Sequence, residues 1–247
     1  MKTSPMTCSF CGKELPKRNF ALAGHAPMLI TLPCDCPEAQ AEAKRESEEI
    51  ERRERAEAFK KSWERVGVPT MFSRVDADFD RAKPLFDGRS IYITGDSGRG
   101  KTHTACRVAK AYLVRNTNRR GVTMRCWKNC LFVTAQDVLS QLKRSWARWD
   151  QNEEDVFQRW AGVDLLVLDD LGKGVPSEWA AENFHRLVDV RWSNHHPMVI
   201  TSQYTVSELA DRYEKAGDET MVALASRLNG WCDEFSMDGP DRRTAGA

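Results

Sequence analysis

The sequence predicts an α/β protein: a parallel sheet flanked by helices, preceded by a small cysteine-bearing module and a charged helix. Three observations carry that expectation. From Val68 onward short apolar runs alternate with helical patterns, a glycine-rich loop follows the first clear strand, and four of the eight cysteines lie between Cys8 and Cys36. Strands joined through helices run parallel, because each crossover helix carries the chain back to the end of the sheet where the previous strand began.

At 247 residues and 41% apolar content the chain can close one domain of ordinary size plus an appendage, which excludes a wholly disordered or fibrous protein. Lys and Arg number 37 against 36 Asp and Glu, so the formal net charge is only +1. No global basic field recruits nucleic acid, and contact with DNA or RNA requires a local patch or aligned copies of the chain. The start, MKTSPMTCSFC, lacks the apolar run of a signal peptide, and no stretch approaches the ~18 apolar residues of a membrane span. The expectation is a soluble, cytoplasmic protein with no membrane partner.

The first element is a module over residues 1–37. Cys8 and Cys11 form a C-x2-C pair, and Cys34 and Cys36 form a C-x-C pair 22 residues later. The cytosol disfavours disulfides, whereas two close pairs supply four thiolates at about 2.3 Å around a tetrahedral zinc. Gly12 permits the turn after Cys11, while the second pair is one residue tighter than usual. His25 is an alternative ligand, and four free surface thiols are the alternative to a metal. A segment this small needs a staple to fold, which favours zinc. Cys106, Cys126, Cys130 and Cys232 read as small buried hydrophobes.

Residues 38–66 are the second element. The run from Glu38 to Arg65 has no Gly or Pro and is dominated by Glu, Arg, Lys and Ala. Glu48 with Arg52, Glu49 with Arg53, Glu51 with Arg55 and Glu57 with Lys61 stand four apart, each pair adding a few tenths of a kcal/mol to a solvated helix. Ile50, Phe59 and Trp63 make no heptad seam, so the helix is a connector rather than a coiled coil. Gly67-Val68-Pro69 ends it and opens the main domain, residues 67–247.

In that domain residues 90–94, 131–134, 165–169 and 198–202 read as buried parallel strands, and residues 136–147 and 178–193 carry helical periodicity. Gly95-Asp96-Ser97-Gly98-Arg99-Gly100-Lys101-Thr102 fits G-x-x-x-x-G-K-[ST] between the first strand and a helix from His103 to about Arg115. Its backbone N–H groups are suited to a β-phosphate, Lys101 to the β- and γ-phosphates, and the Thr102 hydroxyl to Mg²⁺. An accidental glycine-rich turn would not bring both flanking elements. Leu165-Leu166-Val167-Leu168-Asp169-Asp170 then delivers two carboxylates at a strand end. Asp169 suits the metal, and Asp170 suits the attacking water. Many such ATPases carry Glu in the second place, so the shorter Asp170 points to slow hydrolysis.

Gly100-Lys101-Thr102-His103-Thr104-Ala105, Leu-Asp-Asp-Leu-Gly at 168–172, Asp189-Val190-Arg191-Trp192 and residues 197–203 together resemble the DnaC-type AAA+ ATPases. That group holds bacterial and phage replicative-helicase loaders and IstB-like transposition helpers. The likeness spans about residues 70–245. It also takes in residues 133–139, Ser226-Arg227-Leu228, and Asp238 to Arg243. The resemblance implies an AAA+ P-loop NTPase without a C-terminal lid, with ATP and Mg²⁺ as cofactors. His103 joins the ATP-binding set with residues 95–102, Gln203 stands where the family usually has a sensor Asn, and Arg227 takes the place of an arginine finger. Self-assembly into an AAA+ oligomer follows from such a finger.

The cysteine module selects within the group. It is similar to one branch of helicase loaders, in which such a module grips a hexameric helicase, whereas IstB-like helpers mostly lack one. The alternatives are an IstB-like transposition helper, a zinc adaptor that binds nucleotide with little hydrolysis, and a small-molecule kinase, which the acid pair and the Ser-Arg-Leu box leave little room. For single-stranded DNA, Lys143, Arg144, Trp146 and Arg148, followed by Trp149, alternate cations with indoles as non-specific binders do. The same spacing also suits an amphipathic helix that packs its two indoles inward. Arg227 likewise reads either as a finger or as an Arg tied to a nearby carboxylate.

Overall fold

The computed structural model of the chain describes residues 6–20, 27–120, 130–146, 152–174, 177–214 and 219–242. The chain folds as two compact units, Met1–Glu57 and Ala58–Ala247.

In the first unit β1 (Lys17–Phe20) pairs antiparallel with β2 (Met28–Thr31), with Phe20 opposite Met28. Two short strands cannot close a core, and the buried cluster here consists of Cys8, Cys34 and Cys36 with Leu15 and Ala39 against them. Helix α1 (Pro37–Arg65) follows, one residue longer at its start than the charge pattern indicated. Arg53 meets Glu49 at 2.6 Å and Arg55 meets Glu51 at 3.0 Å, two of the expected pairs, while Glu48 is met by Lys44 at 4.0 Å.

In the second unit the end of α1 is anchored by apolar contact. Phe59 and Trp63 stack with centroids 6.4 Å apart, and the Trp63 indole donates to the Ser73 carbonyl at 2.7 Å. A 3₁₀ turn, Thr70–Phe72, and a short α2 (Lys83–Phe86) lead into β3 (Ser90–Thr94) and α3 (Lys101–Arg120). Then come β4 (Cys130–Thr134), α4 (Ala135–Trp146), α5 (Glu153–Ala161), β5 (Leu165–Leu171), α6 (Glu178–Ser193) and β6 (Met198–Ser202). Helices α7 (Val206–Glu214) and α8 (Glu219–Trp231) precede β7 (Cys232–Ser236).

The sheet order is β4-β5-β6-β3-β7 and every neighbour pair is parallel. All four expected strands are present. The fifth, β7, carries charged Asp233 and Glu234 on an edge, so it shows no apolar run to read; charges of this kind also protect a free edge. Side chains alternate between two cores. Ile91, Ile93, Val167 and Val199 pack with Ala105, Val108 and Ala109 of α3, while Tyr92, Leu166, Leu168 and Ile200 pack with Phe184 of α6 and Leu224 and Leu228 of α8. Cys106 and Cys232 are buried as expected, Cys130 is half-buried, and Cys126 lies outside the described residues.

Arg191 of α6 is wholly buried, and carbonyls hold it. Its Nη1 donates to the carbonyls of Trp160, Ala161 and Val163 at 2.6, 3.3 and 2.9 Å, and its Nη2 to that of Pro197 at 2.7 Å. The guanidinium thereby satisfies the loop that turns α5 into β5 and the turn that opens β6. Burial pushes its pKa down to about 9, which leaves it charged at neutral pH. Arg191→Leu removes the guanidinium donors from four carbonyls, of which Pro197 keeps the Leu166 N–H and Ala161 keeps His196 Nδ1, and is expected to cost roughly 3–5 kcal/mol of stability. Urea unfolding measures this, and a loss below about 1 kcal/mol would contradict the account.

Candidate functional site

The phosphate loop leaves β3 at Thr94 and enters α3 at Lys101, so the expected strand–loop–helix context is present. Gly98 has φ of 81°, and a Cβ there would lie 2.0 Å from the Asp241 carboxylate. At Gly95, with φ of 138°, a Cβ would lie 2.5 Å from the Met237 carbonyl. Both approaches come from the segment after β7. The Met237 N–H donates to the Thr94 carbonyl at 2.8 Å and the Arg242 N–H to the Gly98 carbonyl at 2.9 Å. The loop is thus backed on its outer side by the last described residues.

Lys101 is buried, and its ammonium donates to the carbonyls of Gly95 at 2.6 Å and Asp96 at 2.9 Å, held within the loop whose phosphate it would meet. Arg99 pairs with Asp96 at 3.0 Å across the same loop. His103 stands edge-on to Phe72 at 5.8 Å. Burial, then Arg107 and Arg242, hold its pKa below the usual range, so it is neutral at neutral pH.

Asp169 is buried and accepts from the Thr102 hydroxyl at 3.0 Å through Oδ1 and 3.1 Å through Oδ2. Burial raises its pKa, against the opposing pull of the Thr201 and Thr102 hydroxyls and Lys101. A carboxylate whose charge is costly to keep dry, set beside a hydroxyl, is an oxygen pair that fits Mg²⁺. Asp170 takes φ of 60° and accepts from Lys173 at 2.9 Å. A cleft of about 550 Å³ joins Lys101, Thr102, Asp170 and Gln203 with Lys173 and Arg242. The last two are cations that no motif in the sequence assigns to the site. Arg242 lies in the run after Gly239-Pro240 that the resemblance included, and Lys173 follows the acid pair closely; neither position has a spacing rule that marks it.

The other expected sites are made of residues that do not line this cleft. The four sulfurs of Cys8, Cys11, Cys34 and Cys36 all fall within 4.8 Å of one another, with Cys8–Cys36 at 3.8 Å and Cys11–Cys34 at 3.5 Å. Thiolates bound to one tetrahedral zinc are about 3.8 Å apart, and disulfide sulfurs about 2 Å, so the donor set fits zinc. Backbone N–H groups of Cys11 and Phe10 draw the Cys8 thiol down to about 7. His25 lies outside the described residues.

Among the described residues Arg227 does not line the cleft that holds the phosphate loop. It meets Asp189 at 2.8 Å as a close charge contact without hydrogen-bond alignment, stacks 4.4 Å over Trp192, and lines a separate concavity of about 410 Å³ with His185 and Ser226. Within one chain the carboxylate-tied reading of this Arg is therefore the observed one. Lys143 and Arg144 are exposed on α4, and Lys143 sits 5.0 Å over Trp179. The Trp146 side chain and Arg148 lie outside the described residues.

A parallel β4-β5-β6-β3-β7 sheet with this loop and acid pair defines a P-loop nucleoside triphosphatase of the AAA+ class. The chain belongs to the family described as IstB-like ATP binding protein, whose profile matches residues 85–245. It is 26% identical to the replicative helicase loader DnaC of Escherichia coli (strain K12) over 163 residues, 65% of this chain and 60% of that protein. It is also 26% identical over 151 residues to the uncharacterized protein YqaM of Bacillus subtilis (strain 168), 59% of this chain and 41% of that one. The chain thus spans less than two thirds of the curated relatives it matches. A crystal structure of DnaI shares the fold with a TM-score of 0.53 and 20% identity, covering 70% of this chain and 96% of that one.

Gly98→Ala places a Cβ against Asp241 on a backbone that only glycine adopts easily. ATP affinity is expected to fall at least ~10-fold, as read by titration with a fluorescent nucleotide. Affinity equal to that of the parent would show that the loop accommodates the group.

Proposed function

We propose that the chain is an ATP-dependent loader of a hexameric replicative helicase. Its ATPase unit binds ATP and Mg²⁺ and hydrolyses ATP with single-stranded DNA present, and its cysteine module, holding one zinc, grips the helicase. The observation that carries this reading is the pairing of a DnaC-like nucleotide cleft with a separate four-cysteine module. Exposed apolar residues of that module support a role in contact: Phe10 is 53%, Met28 58% and Leu29 63% exposed. The second reading, an IstB-like transposition helper, is favoured by the family's own description but does not call for the cysteine module.

In hydrolysis, magnesium when bound neutralises charge on the β- and γ-phosphates. Lys101 turns from the Gly95 and Asp96 carbonyls to the phosphates, and the Thr102 hydroxyl and Asp169 hold the metal. Asp170 exchanges Lys173 for the attacking water, which it orients and relieves of a proton. The Gln203 amide, which lines the same cleft, would hydrogen-bond the attacking water or the phosphate it attacks. Arg227 serves the cleft of a neighbouring copy: on assembly it leaves Asp189 and meets the phosphates with a planar, permanently charged fork. Lys143, Arg144, Trp146 and Arg148 are the proposed DNA contacts.

Purified full-length protein is expected to carry close to one zinc per chain and to capture the purified hexameric helicase of its host. Cys34→Ser is expected to lose both together. Capture undiminished in a zinc-free variant would remove the module from the role proposed, and absence of capture by the parent would favour the transposition reading.

For the finger, Arg227→Ala is expected to bind ATP normally and hydrolyse it ~10³-fold more slowly. Adding a Lys101→Ala chain, which keeps its own Arg227, restores turnover in mixed assemblies. No restoration in mixtures shown to be assembled would count against action in trans.

A further inference from the structure

The ladder between β5 and β6 loses register at the acid pair. Leu168 stands opposite Ile200 and Leu171 opposite Ser202, so two residues of β5, Asp169 and Asp170, face one residue of β6, Thr201. This two-against-one arrangement is a β-bulge. In an unbroken strand consecutive side chains leave on opposite faces, so adjacent acids could not both serve one cleft. With the bulge, Asp169 reaches Thr102 while Asp170 lines the nucleotide cleft. The arrangement strains the backbone, since Asp170 holds φ of 60°, a region costly for a residue with a Cβ.

One hydroxyl serves both residues. Thr201 is wholly buried, and its Oγ1 accepts the Asp170 N–H at 2.9 Å and donates to Asp169 Oδ1 at 2.6 Å. The direction is forced, because an amide N–H only donates and an ionised carboxylate only accepts. The single hydroxyl proton is therefore committed to Asp169, and a hydroxyl lone pair to the strained peptide of Asp170. Next along β6, Ser202 Oγ donates to the Leu171 carbonyl at 2.7 Å and closes the far side of the bulge. Thr201 itself does not line the cleft among the described residues.

We propose that Thr201 is a positioning residue for ATP hydrolysis: its hydroxyl pins the β5 bulge, aiming Asp169 at the magnesium position beside Thr102 and Asp170 into the cleft. Serine preserves the hydroxyl, whereas valine preserves the β-branched shape without it. The inference rests on reading the chain as a hydrolysing ATPase, and the test separates the two.

The experiment compares full-length Thr201→Val and Thr201→Ser with the parent for ATP binding in EDTA, for the Mg²⁺ concentration giving half-maximal turnover, and for kcat. Thr201→Val is expected to bind metal-free ATP within ~3-fold of the parent, to need at least ~10-fold more Mg²⁺, and to lose at least ~10-fold in kcat. Thr201→Ser is expected to return both to within ~3-fold, because it restores the donor and the acceptor. Thr201→Ala, a second hydroxyl-free variant, shows the same loss if Thr201→Val does not fold. A Mg²⁺ requirement and kcat unchanged in the hydroxyl-free variant would overturn the proposal, as would Thr201→Ser failing as badly as Thr201→Val. If the parent does not turn over ATP, the hydrolysis reading fails, and the Mg²⁺ dependence of ATP binding then decides the role of Thr201 by the same shift or its absence.

Discussion

The buried carboxylate of Asp169 is the constraint around which the ATPase unit is arranged. With 6% exposure it has almost no water, so the protein must supply its hydrogen bonds. It draws them from Thr102 at the start of α3 and from Thr201 near the end of β6. One side chain thereby ties three elements that are far apart in sequence. The strand ends and the helix N-terminus meet at that point, and the metal and phosphates are expected on its open side. Lys101, also buried, lies against the same loop and supplies the compensating charge.

The opposite side of the phosphate loop is governed by space rather than charge. The chain after β7 presses the Met237 carbonyl toward Gly95, leaving no volume for a Cβ there, and sets the Asp241 carboxylate against Gly98, where a Cβ would force that side chain aside. Two backbone hydrogen bonds, to Thr94 and Gly98, hold that segment in place. It also brings Arg242 to the cleft. The loop therefore takes its shape from β3, which it follows directly, and from the segment after β7, which is far away in sequence.

The small first unit follows another logic. A four-residue hairpin and a charged helix bury little apolar surface, and the buried cluster there is built largely of cysteine. Four sulfurs within 4.8 Å would repel one another as thiolates unless a cation or protons neutralised them. A cation held by these four sulfurs would couple its own affinity to the folding of this unit.

By itself the sequence determined the elements whose signal is local. The strands at 90–94 and 198–202 are apolar runs, α1 is a charge pattern, the phosphate loop is a spacing, and the C-x2-C and C-x-C pairs announce a donor set. Each rests on residues close together in the chain, where backbone preference and hydrophobic periodicity act directly. Only tertiary structure decided the rest. β7 has no apolar run, because an edge strand keeps Asp233 and Glu234 in water. Lys173 and Arg242 become cleft residues only when the Asp169-Asp170 strand and the last described residues converge on the loop. Arg227 shows its Asp189 and Trp192 partners only once α6 and α8 pack together. The bulge that turns two adjacent acids toward one site exists only as a mismatch between β5 and β6, since register belongs to a pair of strands and is carried by neither alone.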